Sequence, residues 1–573
     1  MIENYETHEF DVLIIGAGGA GLRAAVSALE EGVTVGLVCK SLLGKAHTVM
    51  AEGGIAAALG NVDPEDNWQF HFGDTVRGGQ FLNNWRMAEI FAREAPERVL
   101  ELELWGAAFD RTPAGKISQR PFGAHTWRRL CHVGDRTGLE LIRTLQDHSV
   151  TKGLDVFMEL TVTRLLKDGD RIAGALAYRR ENGRFVVFRA KSVILATGGW
   201  GKVYKITSNS WESTGDGVIC AYNAGAELID MEMMQIHPTG MLWPPGVRGI
   251  LVTEAVRGDG GLLLNNKGER FMLTYDPQKK ELSSRDVVAR AIFREVQEGR
   301  GTPHGGAWLD VTHLPAAEVR RKLPSMYDQF LELADIDITT EKMEVAPTVH
   351  YAMGGVRVDP DTSESTVPGL FAAGEVAGGL HGANRLGGNS LSDLLVFGRR
   401  AGLSAAAHAR TLGALPTLDQ SQIKAETALL ARPFESDGKE NPFLLHEELQ
   451  EAMQAWVGIR RTGSELEQAL AKVLELKERV ENVHVGGSRL YNPGWHNARD
   501  MRFMVTVCEA IVRSAIVRKE SRGAHWRIDY PDRSEELGKV NVVVARAGDE
   551  MQVTTRPLPQ IPDELRQIAV GGK

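Results

Sequence analysis

Residues 381–390 read HGANRLGGNS, a single arginine, Arg385, among glycines and asparagines, after an apolar strand pattern at 369–373 and before a helix-like run. These residue types suit the holding of an anion. Small residues let a ligand approach the backbone, a following helix offers free N–H groups, and a guanidinium presents a planar fork that matches a carboxylate. Taken alone, the segment is also compatible with a glycine-rich turn carrying a solvated arginine.

A second signature opens the chain. Residues 11–15 (DVLII) form a continuous apolar strand pattern that runs into GAGGAG at 16–21, then a helix pattern at 22–30 stopped by Gly32, then a second strand at 33–39. This is a glycine fingerprint inside a βαβ unit of about 30 residues, the setting that dinucleotide binding requires. Gly16 allows the tight turn, Gly18 lets a pyrophosphate approach, and Gly21 lets the helix pack closely; Ala17, Gly19 and Ala20 complete the loop. Cys39, Lys40 and Ser41 stand where an acidic residue usually ends the second strand. The adenosine must therefore be held otherwise, and Lys40 and Ser41 are counted with the cofactor-binding residues. Two later segments, KSVILATGG at 191–199 and VPGLFAAGE at 367–375, read as strands returning to the same sheet. A cofactor that draws on such separated parts of the chain is FAD rather than a nicotinamide. Glu375 is placed to meet the ribitol, and Asp216 in STGDG is a second flavin-side acid; for either, a helix cap is the plainer alternative.

At 573 residues the chain exceeds one ordinary core and should divide into roughly three or four domains. A net charge of −9 argues against nucleic acid as a partner, without forbidding an anionic substrate in a locally positive site. No apolar run reaches the roughly 18 residues that span a bilayer, and the start, MIENYETHEF, lacks the basic-then-apolar order of a signal peptide. The expected place is the cytoplasmic side of the cell membrane, with any membrane contact made through partners. Cys39, Cys131, Cys220 and Cys508 lie far apart with no CxxC pair, so neither a disulfide framework nor a cysteine-held metal is expected. Electrons that leave through a metal cluster need another chain to carry it.

Six further ordered segments carry a resemblance: HTVMAEGG at 47–54, MEMMQIHPTG at 231–240, LVTEAVRGDGG at 251–261, SRDVVARAI at 284–292, PTVHYAMGG at 347–355, and HGANRLGGNS itself. With SRGAHWRIDYPDR at 521–533, the chain resembles the flavoprotein subunit of succinate dehydrogenase and fumarate reductase along nearly its whole length. The resemblance implies an α/β fold: a Rossmann-like FAD-binding domain (1–229 and 350–430) with an inserted α+β capping domain (230–349), a helical bundle domain (431–538) and a short C-terminal segment (539–573). It implies FAD bound covalently through His47, although Lys45 and Ala46 replace the usual arginine and serine before that histidine. Thr48, Gly53 and Gly54 in the same motif, and Asn389, Ser390 and Leu391 after Arg385, are counted with the cofactor. The cap is expected to close over the flavin and exclude water. By resemblance, His237, Thr253, His350 and Arg385 hold the carboxylates of a C4 dicarboxylate, succinate or fumarate. Arg285 transfers the proton, with Glu254 as its relay. The implied partners are an iron–sulfur subunit, together with membrane anchor subunits of the same complex that deliver electrons to quinone; direction is not legible. Rival readings are an L-aspartate oxidase, which holds FAD without a covalent bond, and a catalytically silent FAD scaffold.

An arginine is the least suitable side chain for losing a proton, with a reference pKa above about 12. Ser283 and Ser284 read as an N-cap, and Val287, Val288, Ala291, Ile292 and Val296 form an apolar stripe ending at Gly299, which puts Arg285 in a first helical turn. The helix dipole there disfavours a cation by only about 0.3–1 kcal/mol, so burial and Glu254 must supply the rest. The competing reading is a surface arginine paired with Asp286 or Glu281. In the tail, Leu445, Leu449, Met453 and Trp456, then Leu466, Leu470, Val473 and Val480, repeat at helical spacing, and a third apolar run covers about 497–520. From 539 onward VNVVVA reads as a short strand and TTRPLPQIP as an extended tail.

Overall fold

The computed structural model describes residues 5–571. The first strand, β1 (Glu6–Ile15), pairs in parallel with β2 (Val35–Val38), and α1 (Gly19–Glu30) connects them. Val12, Leu13 and Ile14 are fully buried, as expected of a parallel strand covered on both faces. The helix starts inside the glycine run, three residues earlier than the periodicity suggests, because glycines 19 and 21 already take helical positions. The sheet continues through β3 (Asp155–Phe157), β4 (Leu160–Asp168), β5 (Arg171–Arg179) and β6 (Phe185–Leu195) in the order β3-β2-β1-β6-β5-β4. The segment expected as a strand at 191–199 thus begins earlier and ends at Leu195, where the small residues leave the sheet. The helix α2 (Asp216–Ala224) follows.

The chain then enters a separate four-stranded antiparallel sheet. β7 (Met234–Met241) pairs with β10 (Met343–Ala352), which is followed by β9 (Ala307–Asp310) and β8 (Leu262–Leu264); α3 (Arg285–Gln297) packs on β7. This part has its own apolar cluster, including Met241, Val288, Ile292, Leu309 and Val345, joined by Ala56, Phe122 and Leu130 from the first half of the chain. β10 runs unbroken through position 349–350, so the cap is joined to the body by continuous strand. After it, β11 (Leu370–Ala372) returns to pair in parallel with the second half of β6, the expected re-entry. α4 (Asn389–Thr411) then packs along α1.

The helical part contains α5 (Pro442–Trp456), α6 (Gly463–Val480) and α7 (Pro493–Val517), which pack on one another with α7 the most buried. The tail differs from its expected form. β12 (Val540–Ala547) turns at Gly548 into β13 (Glu550–Pro557), and α8 (Asp563–Val570) follows. The TTRP segment is a paired edge strand, a position that tolerates a terminal proline. Among the described residues no helix is long and apolar enough to cross a membrane.

Candidate active site

A solvent-open cleft runs from the end of β2, past the glycine fingerprint, to His350 and Tyr351 at the cap strand. A Cβ on Gly21 would run into the carbonyl oxygen of Gly16, and Gly16 itself has φ +114°. Both positions therefore demand glycine, and α1 can begin against the cleft floor. Gly18 is its N-cap with no side-chain cap, and Gly19 N–H donates to Thr48 Oγ1 at 3.3 Å. His47 lines the cleft in a short 3₁₀ turn, with its Nδ1 buried and unpartnered. Burial, with help from Lys202, pushes its pKa down to about 4, so the ring is neutral at pH 7. Glu375 accepts from Ala352 N–H at 2.9 Å, and burial pushes its carboxyl up to about 7. An open helix start, an unpartnered imidazole nitrogen and a long wall of small residues fit FAD.

Several expected contacts are redirected. Asp216 is the first residue of α2, where Gly215 is the cap, and it lines the cleft while pairing with Arg499 (2.7 Å) and Lys40 (3.1 Å). Burial opposes its ionisation, yet these cations hold it well below the usual carboxylate range. The Lys40 ammonium is shared among Asp216, Asp500 and Thr214, so it serves the protein rather than presenting a free charge to a ligand. Ser390 and Leu391 line the cleft, but the Asn389 amide is bound to His71 and Thr75. Gly53 packs on Phe122, and Gly54 on Cys131.

A second group of polar residues lies where the cap meets the cleft. Arg285 opens α3 as expected, though the Ser284 hydroxyl donates to Asp286 and makes no cap bond. Its Nε donates to Glu254 at 2.9 Å and its Nη1 to Gln235 at 3.1 Å. The competing partners are engaged elsewhere, Asp286 with Arg290 and Glu281 with Arg270. Glu254 is 2% exposed; burial would raise its carboxyl, but Arg285 and Arg257 outweigh burial and hold it at about 2. Thr253 precedes it, its hydroxyl accepting from Ala255 N–H at 3.3 Å.

The two imidazoles, His237 and His350, lie with ring centroids 5.2 Å apart. Each uses Nδ1 on the protein, His237 against Thr239 and His350 against Ser208 Oγ at 2.8 Å, and neither Nε2 makes a hydrogen bond among the described residues. Burial and the nearby Arg285 push both well below the ordinary histidine pKa, so both rings are neutral. Arg385 is 2% exposed, lies over the Tyr351 ring at 4.3 Å, and donates to Ser390 Oγ at 3.0 Å. Among the described residues it makes no ion pair, and its Nε has no partner. Burial and the like charge of Arg285 push it down to about 9. A buried cation without a counter-ion is costly unless an anion is meant to join it.

Four residues of this group have no role assigned from the sequence, although Gln235, Arg257 and Tyr351 lie inside the motif segments and only Gly123 lies outside them. Gln235 accepts from Arg285 and donates to Asn384 Oδ1 (2.9 Å) and the Arg385 carbonyl (2.7 Å), tying the two arginines together. Gly123 donates its N–H to Glu254 Oε1 at 2.7 Å, and a Cβ there would lie 2.5 Å from that oxygen. Arg257 lies 3.7 Å from Glu254 and carries a second positive charge to that carboxylate. Tyr351 supplies the face on which Arg385 rests. For Arg257 the sequence offers its place in the segment 251–261 and its i, i+3 spacing from Glu254.

The family model described as an FAD binding domain matches residues 11–391, and that described as fumarate reductase flavoprotein C-term matches residues 446–563. A fumarate reductase (CoM/CoB) chain of Methanothermobacter marburgensis is 47% identical over 93% of this chain and 96% of its own. The Mycobacterium smegmatis Sdh1 structure in complex with UQ1 is 55% identical, with TM-score 0.89, covering 99% of this chain and 96% of that one. A mutant of the E. coli quinol fumarate reductase chain FrdA is 34% identical with TM-score 0.92, covering 97% and 98%. With both halves matched and full-length relatives at these identities, the chain belongs to the FAD-binding flavoprotein subunits of succinate dehydrogenase and fumarate reductase.

Proposed function

We propose that the chain interconverts succinate and fumarate, and that the observation carrying this reading is Arg385, a buried guanidinium beside two imidazoles, with no counter-ion to Arg385 and no partner to either Nε2 among the described residues. One carboxylate is taken by Arg385 and His350, the other by His237 and Thr253. The His350 ring can donate through Nε2 because its Nδ1 can accept from the Ser208 hydroxyl; the His237 Nδ1 meets both the Thr239 N–H and the Thr239 carbonyl, so its tautomer follows the ligand. FAD, when bound, supplies hydride exchange with a methylene carbon. Arg285 donates the proton to the neighbouring carbon in fumarate reduction and takes it in succinate oxidation. In fumarate reduction Glu254, bonded to Arg285 Nε, takes up a proton from the Arg257 side and passes it to Arg285 as that arginine gives up its own, and in succinate oxidation the same transfers run in reverse. The Gly123 N–H holds the other Glu254 oxygen, so the carboxylate cannot rotate off this line.

His47 is read as the site of covalent flavin attachment, since its neutral ring retains a lone pair. Electrons pass through an iron–sulfur subunit to quinone, with anchor subunits placing the complex on the cytoplasmic side of the membrane. The four cysteines are free, buried and scattered, which supports a cluster on another chain. Quinone as acceptor is supported by the Mycobacterium relative with UQ1, whereas the Methanothermobacter relative is named for CoM and CoB.

The test is a malonate and succinate titration of the purified chain, followed by the flavin spectrum and by dye reduction. A saturable spectral shift with malonate, and succinate-dependent dye reduction blocked by it, is expected. A chain that reduces no dye and shows no shift would sink the reading. Acid denaturation followed by a gel under ultraviolet light tests the tether: fluorescence should stay with the polypeptide, and complete release of flavin would move weight to the L-aspartate oxidase reading.

A further inference from the structure

The second strand ends in Cys39, Lys40 and Ser41, without the acid that in many dinucleotide folds receives the ribose hydroxyls. The structure brings a carboxylate to this place from a distant part of the chain. Glu212, on the loop before α2, is half-buried and lines the cleft at the β2 end together with Ser41. The loop is pinned there by Lys40, whose ammonium binds Thr214 Oγ1 at 3.0 Å and Asp216 at 3.1 Å. Trp211 beside it lies under Arg180 (4.9 Å) and Lys40 (5.6 Å). The other acid of this wall, Asp216, is consumed by Arg499 and Lys40. Among the described residues Glu212 makes no ion pair and keeps acceptor capacity toward the cleft.

We infer that Glu212 receives the vicinal hydroxyls of the adenosine ribose of FAD, replacing the missing strand-end acid from a different loop. The Lys40 ammonium thereby acts on the cofactor indirectly, by fixing the loop that carries Glu212. A carboxylate here accepts from a diol and repels a phosphate on the same ribose, so the site selects an unphosphorylated adenosine.

The full chain carrying His47→Ala, in which no tether can form, is stripped of flavin and titrated with FAD and with an FAD whose adenosine ribose lacks both hydroxyls. Flavin fluorescence reports binding. The parent should prefer FAD by about tenfold or more, the size of a hydrogen bond to a charged group. Glu212→Ala should lose FAD affinity by a similar factor, bind the analogue as the parent does, and no longer discriminate. Equal weakening toward both ligands, or undiminished discrimination, would overturn the assignment. Should the alanine chain not fold, Glu212→Gln carries the test: discrimination reduced severalfold supports the proposal and unchanged discrimination refutes it. The readout is binding alone, so its failure leaves the dicarboxylate reading untouched.

Discussion

Arg385 and Arg518 are both almost fully buried guanidiniums, and their surroundings are opposite. Arg518, just after α7, meets Glu232 at 2.5 Å, Asp230 at 3.0 Å and Glu520 at 3.0 Å, with the Leu537 and Val540 carbonyls completing its shell. Burial opposes its charge, yet Glu232 and Asp230 hold its pKa above the ordinary arginine value. Arg385 has a hydroxyl, a distant carbonyl and an aromatic face, and its pKa is depressed. The contrast separates a cation that joins the segment before β7 to the end of the helical part from one that has no anionic partner among the described residues. Burial alone does not distinguish the two; the presence or absence of anionic partners does.

The comparison is broken most severely at Arg518. Arg518→Met leaves the buried Asp230 and Glu232 without their cation, while Glu520 keeps Arg522, and should cost about 3–5 kcal/mol. Thermal unfolding should show a large fall in Tm, whereas Arg385→Met should leave Tm unchanged or raise it while abolishing the malonate-induced flavin shift. A comparable Tm loss in both variants would erase the distinction.

Next in size is Arg285→Gln, which removes proton transfer and keeps a polar side chain. Steady-state kinetics should show kcat and kcat/KM falling together by at least about 10²-fold, with malonate binding retained. Lysine at 285 should recover part of the loss, since it carries a proton without the fork. Normal turnover in the glutamine variant would remove Arg285 from chemistry and make it a second Arg385.

A smaller effect is expected at Gly123. Gly123→Ala pushes a methyl group against Glu254 Oε1 and should lower kcat about tenfold with little change in KM, the sign of a misaligned proton route rather than lost binding. An unchanged kcat would mean that Glu254 does not need this anchor.

The smallest effect is with pH. His47 and His125 are both held down to about 4 by burial, against 6.5 when unfolded. Below 6.5 the unfolded chain binds protons that the folded chain refuses, so stability should fall as pH drops from 6.5 toward 4. Tm of the flavin-free chain measured between about pH 7 and 5 should decline. Malonate affinity of the holoprotein over about pH 6–8 should show no imidazole titration step, because His237 and His350 stay neutral. A histidine step in that binding curve would require a charged ring beside the dicarboxylate.

Much of the site was legible because its residues come in short local patterns: the glycine run and strand of residues 11–21, the first-turn position of Arg285, and the Arg385 segment. What escaped depends on approach between distant segments. Gln235 gains its meaning only when α3 lies on β7, and Gly123 only when residues 122–126 reach across to Glu254. Glu212 replaces a strand-end acid from a loop far along the chain, a substitution that no local spacing can announce. The Arg518 cluster is similar, since Asp230 and Glu232 stand far from Glu520 in sequence. The TTRP strand was hidden by its threonines and proline, which read as a tail until an adjacent strand, β12, comes alongside to pair with it.

The cap is tied to the body by two strands that are also each other's neighbours. β7 and β10 pair from Met234↔Ala352 to Met241↔Val345, with bulges on either side of His237, and His350 lies on the second strand. Any swing of the cap must twist this ribbon, and twisting it changes the separation of the two imidazoles. On the proposed binding mode, cap angle and ligand affinity are then a single mechanical coordinate: a dicarboxylate bridging His237 and His350 acts as a splint across the hinge.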